Sequence, residues 1–102
     1  MLMTKRKPAT VGEILVEEFM KPLGVTQSTL AEAMGVPRKH VNELCNDRRA
    51  VTAATALILA RVFGNSHEFW LNVQRRGELW AALNSPRQRE RIERARRLGV
   101  AA

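Results

Sequence analysis

The sequence predicts an all-α domain of five helices with a basic, helical C-terminal tail, and three observations carry that expectation. Apolar residues recur at helical spacing along most of the chain. No segment alternates apolar and polar residues as a half-buried strand does. Thr or Ser before an apolar run and Gly after it mark successive helix starts and stops. A chain of 102 residues, 45% of them hydrophobic, suits one modest core. We divide it into a basic arm over residues 1–9, a helical domain over 10–84 and a basic tail over 85–102.

Residues 1–9 mix Lys5, Arg6 and Lys7 with Pro8 and lack an apolar period, so they read as an arm. Thr10 is the expected cap of the first helix, with Glu13 completing a capping box. Ile14, Leu15, Phe19 and Met20 then form the inward face, Glu13, Glu17 and Glu18 take the other, and Pro22 and Gly24 end the helix.

Thr26 caps a second, short helix whose Leu30, Ala31 and Met34 share one face. Gly35 turns the chain, and Pro37 suits the first position of a third helix reaching Cys45. Val41, Leu44 and Cys45 point inward there, leaving Arg38, Lys39, Asn42, Glu43 and Asn46 outside. Two short helices joined by a glycine turn have the form of a helix-turn-helix unit, whose second helix enters the DNA major groove. The same spacing also fits an ordinary helical hairpin with a solvated face. Arg38, Lys39 and Asn42 occupy the N-terminal half of the second helix. Arg and Lys suit guanine O6 and N7, and Asn suits adenine.

The polar turn Asn46, Asp47, Arg48, Arg49 follows, and its arginines are placed to hold phosphates beside the groove. Thr52 caps a fourth helix, with Ala53, Ala56, Leu57, Ala60 and Phe63 as its expected stripe and Gly64 as its end. Ser66 opens a fifth, carrying Phe69, Trp70, Val73, Leu79, Trp80 and Leu83. Phe69, Trp70, Leu71 and Val73 nearly encircle one turn, more apolar width than a lone surface helix needs. Trp70, Leu71 and Trp80 are therefore candidate dimerisation residues. The alternative is that Trp70 fills the monomer core with Leu71 exposed, and that Trp80 covers the core.

Beyond Ser85 and Pro86, a good helix start, six arginines stand against Glu90 and Glu93. Ile92, Ala95 and Leu98 offer only a thin apolar stripe, so a solvated helix and a contact with a protein or nucleic-acid partner both remain open for the tail.

A formal charge of +7 favours a polyanionic partner, although a merely soluble basic protein fits it too. One cysteine, Cys45, and two histidines, His40 and His67, exclude an internal disulfide and recognisable zinc spacing, so no metal or cofactor is expected. No apolar run is long enough for a membrane span, and no secretory h-region follows the basic start, which makes the cytoplasm the expected compartment. Enzyme function is not expected: there is no phosphate-binding glycine loop, H-E-x-x-H or nucleophile elbow. His40 and Cys45, five apart on a helix, diverge by about 140° and cannot pair as base and nucleophile.

Three segments carry a family resemblance. Gly12-Glu13-Ile14-Leu15 with Glu18-Phe19 and Pro22-Leu23-Gly24, the turn Leu30-Ala31-Glu32-Ala33-Met34-Gly35-Val36, and Asn65-Ser66-His67-Glu68-Phe69-Trp70-Leu71-Asn72-Val73-Gln74 resemble the HigA-type (VapI-like) antitoxins of the XRE helix-turn-helix class. The match runs from about Pro8 to Trp80, and the Phe-Trp-Leu-Asn-x-Gln run is its specific part.

The resemblance implies a λ-repressor-like domain, a homodimer on a palindromic double-stranded DNA operator in its own promoter, and neutralisation of a cognate RelE-like toxin that cleaves translating mRNA. By position, Arg38, Lys39, Asn42 and Glu43 would face bases and Gln27 a phosphate. We add Ser28, His40, Asn46, Arg48 and Arg49 to the phosphate-contacting set. A stand-alone repressor without a toxin would use the same helix-turn-helix. Two positions depart from the family pattern: Val11, where many members have proline, and Asp47, where glycine commonly follows the asparagine. Positive φ at Asp47 would be strained for most side chains and less so for Asp.

Overall fold

The computed structural model describes residues 6–99, and every regular element among them is helical. The first helix, α1, covers residues 11–23. Thr10 accepts from the Glu13 N–H at 3.1 Å and its own N–H donates to the Glu13 carboxylate at 3.3 Å, the reciprocal box the sequence predicts. After one α-helical turn, Val11–Ile14, the helix widens to π geometry over Leu15–Met20, and the Lys21 N–H reaches back to the Val16 carbonyl. The wider register accommodates Pro22, whose ring would otherwise meet the Glu18 carbonyl. Pro22 therefore does not stop the helix as expected. It sits in the last segment, Lys21–Leu23, and the chain turns at Gly24.

Helix α2, Gln27–Met34, is capped by Thr26, which accepts from the Thr29 N–H at 3.1 Å. It ends at Gly35, whose φ of 69° is left-handed. The Gly35 and Val36 N–H groups bond the Glu32 and Ala31 carbonyls at 3.2 and 3.0 Å, closing the helix with a Schellman turn. Helix α3, Arg38–Cys45, follows, with Pro37 just outside it in extended conformation. Helices α4, Ala53–Phe63, and α5, His67–Asn84, pack on each other. Helix α6, Pro86–Arg94, covers the first half of the tail, follows α5 after the single residue Ser85 and buries no residue, while residues 95–99 are not helical. Residues 1–5 of the basic arm and 100–102 of the tail lie outside the described residues.

One core joins α1 to α5. Leu15, Leu30, Val41, Leu44, Leu59 and Trp70 are its largest fully buried side chains, and Val11, Ile14, Met20, Ala31, Met34, Val51, Ala56 and Val73 complete it. The stripe of α4 differs from expectation. Thr55, Ala56 and Leu59 are buried, whereas Leu57 is 56% exposed. On a helix rich in small apolar residues all round, the neighbours decide the inward face, and α2 and α5 meet the side carrying Leu59.

Trp70 also takes the core alternative. Its indole has no exposed surface. It lies against Phe19, Phe63 and Phe69 with ring centroids 4.9, 5.9 and 5.1 Å away, and its Nε1–H donates to Asn65 at 2.9 Å. A side chain so enclosed has no surface to offer a partner subunit, which corrects its expected place in a dimer interface. Leu71 and Trp80 are half-buried, and Leu79, Leu83 and Phe69 keep part of their surface open.

Candidate nucleic-acid interface

Helix α3 turns Val41 and Leu44 into the core, and this fixes what it presents outward. At about 100° per residue, Asn42, Asn46, Lys39 and Glu43 fall within a sector of about 100° opposite that pair, with Arg38 about 40° beyond one edge and His40 about 60° beyond the other. Arg38, Lys39, Asn42 and Asn46 are exposed, and Glu43 and His40 are half-buried.

Two side-chain pairs flank this face. On the α2 side, Asn42 Nδ2 donates to Gln27 Oε1 at 3.2 Å, joining an expected base contact to an expected phosphate contact. On the side of the following turn, Arg49 Nε donates to Glu43 Oε1 at 2.9 Å, and Nη2 forms an ion pair with the same oxygen at 2.8 Å. Arg49 thereby holds the Glu43 carboxyl below its ordinary range, helped by Lys39. Ser28 is exposed at the start of α2, and Arg48 is exposed in the turn. Asn46 donates to the Asn42 carbonyl at 2.8 Å, so its amide closes the helix end.

His40 is the least available of the expected phosphate contacts. Burial lowers its pKa and the Arg49 charge lowers it further, against a smaller opposing effect of Glu43. The ring therefore favours the neutral form, and Nε2 is enclosed without a hydrogen-bond partner among the described residues. Cys45, packed beside Met20, is shifted the other way: burial and the Asp47 carboxylate push its thiol up, so it stays protonated near neutral pH.

The turn after α3 is fixed by contacts that sequence reasoning missed. Asp47 does adopt positive φ, 57°, and its carboxylate gives a reason for an acid there. Oδ1 accepts from the Gly12 N–H at 2.9 Å and Oδ2 from the Thr10 hydroxyl at 2.7 Å. Asp47 thus supplies a negative charge to the N-terminus of α1 and ties the turn to it, which glycine could not do. Gly12 allows the approach: a Cβ there would stand 2.4 Å from the Cys45 carbonyl oxygen. Farther along, Gln74 clasps Val51, accepting from its N–H and donating to its carbonyl, the latter at 3.1 Å. The Asn65 to Gln74 segment thus contributes a core indole, that indole's acceptor and a clasp on the loop bearing Arg48 and Arg49. The one signal for Asp47 in the sequence was its departure from glycine.

Among the described residues no group of three or more His, Cys, Asp or Glu is arranged to hold a metal ion, and no helix is long and apolar enough to cross a membrane.

Residues 16–70 match the helix-turn-helix family. The chain is 49% identical to antitoxin HigA-1 of Vibrio cholerae over 79% of its own length and 76% of that relative's. It is 45% identical to an uncharacterised HTH-type transcriptional regulator of Haemophilus influenzae over 76% of its own length and 73% of that protein's. Among solved structures, antitoxin GraA in complex with its operator superposes with a TM-score of 0.82 at 37% identity, covering 99% of this chain and 100% of that one.

Proposed function

The chain belongs to the HigA-type antitoxins of the XRE helix-turn-helix family, and on that premise we propose that it is a homodimeric autorepressor that also neutralises a toxin. The observation carrying this reading is the outward face of α3, a cluster of Arg38, Lys39, Asn42 and Asn46 at the end of a rigid two-helix unit. Its dimensions and donors suit the major groove, with Arg38, Lys39 and Asn42 at base edges and Gln27, Ser28, Arg48 and Arg49 at phosphates. GraA, whose structure was solved on its operator, supports DNA as the ligand.

Two-fold assembly would use the half-covered Leu71 or the half-covered Trp80 of α5, which stand nine residues and so about 180° apart around the helix and therefore belong to two different faces. Two subunits should then protect two half-sites of the chain's own promoter about 34–36 Å apart, one helical turn of DNA. Protection of a single half-site at saturation would contradict the dimer.

The antitoxin name of the Vibrio relative supports a toxin partner, which we infer to be a RelE-like mRNA-cleaving protein encoded beside this chain. Co-expression should restore growth to cells making that toxin, even after Arg38→Ala and Lys39→Ala together, because neutralisation uses a surface other than α3. Absence of rescue by the native chain would remove the toxin from the account. Rescue by the native chain but not the folded double variant would place both functions on one surface. The second reading, a repressor without a toxin, is favoured by the regulator description of the Haemophilus relative, and a promoter-proximal gene without toxin activity would decide for it.

A further inference from the structure

We propose that Glu43 is a positioning residue, one that acts on DNA through Arg49 by holding its guanidinium at the edge of the recognition face rather than by reading a base itself. This rests on the reading of α3 as the recognition helix.

A carboxylate on a surface meant for DNA is unfavourable in itself, because it faces a polyanion. Glu43 nevertheless stands on the outward sector of α3, one turn after Lys39. Arg49 Nε donates to its Oε1 at 2.9 Å and Nη2 stands 2.8 Å from the same oxygen as an ion pair, two points of approach that orient the guanidinium as well as place it. The Arg48 N–H donates to the Glu43 main-chain carbonyl at 2.8 Å, so the turn is docked on this one residue by backbone and side chain together.

The remaining N–H groups of Arg49 are left for phosphate oxygens, and its side chain keeps 45% of its surface while that of Glu43 keeps 26%. The pair is too exposed to contribute much to folding. Its effect is to neutralise the carboxylate and aim a cation whose long side chain would otherwise sample many rotamers.

A double-mutant cycle tests the proposal. Native protein, Glu43→Gln, Arg49→Met and the double variant are titrated by fluorescence anisotropy against a duplex from the chain's own promoter, a set of that duplex with each base pair changed in turn, and a random duplex. Melting temperatures are expected to stay close to native for all four.

In the native background, Glu43→Gln should weaken promoter binding about 3- to 10-fold, while in the Arg49→Met background the same change should have no effect or strengthen binding slightly. The ranking of the altered duplexes should be the same with and without Glu43. Equal losses in both backgrounds would overturn the proposal. So would loss of discrimination at a single base pair on Glu43→Gln, which would make Glu43 a base reader. If the native protein binds promoter and random duplexes alike, the recognition-helix reading itself fails, an outcome distinct from additivity in the cycle.

Discussion

Replacing Trp70 by alanine is expected to remove about 3–5 kcal/mol of folding stability, a large part of the roughly 5–15 kcal/mol that holds a domain of this size together. The indole is fully enclosed and touches Phe19 of α1, Phe63 of α4 and Phe69 of its own helix, so its loss opens a void where three segments meet. It also leaves the Asn65 side-chain oxygen without the donor now 2.9 Å away, just where the α4–α5 connection must stay closed. Urea denaturation followed by far-ultraviolet circular dichroism measures the loss without relying on the removed fluorophore. Trp70→Phe, which keeps apolar volume but not the N–H, should fall between the two. A loss below about 1 kcal/mol for Trp70→Ala would mean that the aromatic cluster is not the centre of the core.

The second large effect is expected at Gly12, where the direction alone is diagnostic. By helix propensity, Gly→Ala within a helix should stabilise by about 1 kcal/mol. The close approach of α1 and α3 reverses the sign. A methyl group at Gly12 would stand 2.4 Å from the Cys45 carbonyl oxygen and 2.9 Å from that of Leu44, and these obstacles are backbone that cannot rotate away. Gly12→Ala should therefore destabilise toward the upper end of the roughly 1–3 kcal/mol typical of overpacking, or beyond it. Because the shift falls on the C-terminal turn of α3, and Gly12 N–H is also the donor to Asp47, promoter affinity should drop as well in the fraction that stays folded. A variant as stable as native protein, or more stable, would contradict so close an approach of the two helices.

How far the fold could be read in advance follows from the range of the interactions involved. The α2–α3 unit was legible because its signals are local: Thr26 caps, Gly35 supplies the left-handed turn, and Leu30, Ala31, Met34, Val41 and Leu44 share two short apolar faces. Trp70 left two readings open, since periodicity shows that a side chain is covered but not by what. Phe19 and Phe63, distant in sequence, settle it. Leu57 was misplaced for a related reason: on a helix apolar on several sides, packing and not composition selects the buried face.

The site shows the same division. Which residues stand outside α3 followed from local spacing. Their pairings, Asn42 with Gln27 and Glu43 with Arg49, depend on how α2 and the following turn lie against α3. The contacts of Asp47 with α1 and of Gln74 with Val51 span 35 and 23 residues, and no local signal specifies them. Nothing local marks Gly12 as the point of close approach between α1 and α3; the Cys45 carbonyl beside it does.

The central claim, that the outward face of α3 reads bases while the turn after it holds the backbone, is tested most directly by comparing Arg38→Ala with Arg48→Ala. Each is titrated against a duplex from the chain's own promoter and a random duplex over a range of salt. Arg38 is exposed at the N-terminal end of α3 and Arg48 in the turn beyond its C-terminus. Arg38→Ala should cost about 1–3 kcal/mol on the promoter duplex and little on the random one. Arg48→Ala should weaken both about equally and flatten the salt dependence by about one unit, because one fewer phosphate is neutralised. If both variants weaken promoter and random duplexes to the same extent, the outward face of α3 does not read bases, even if the chain binds DNA through the arginines of its tail.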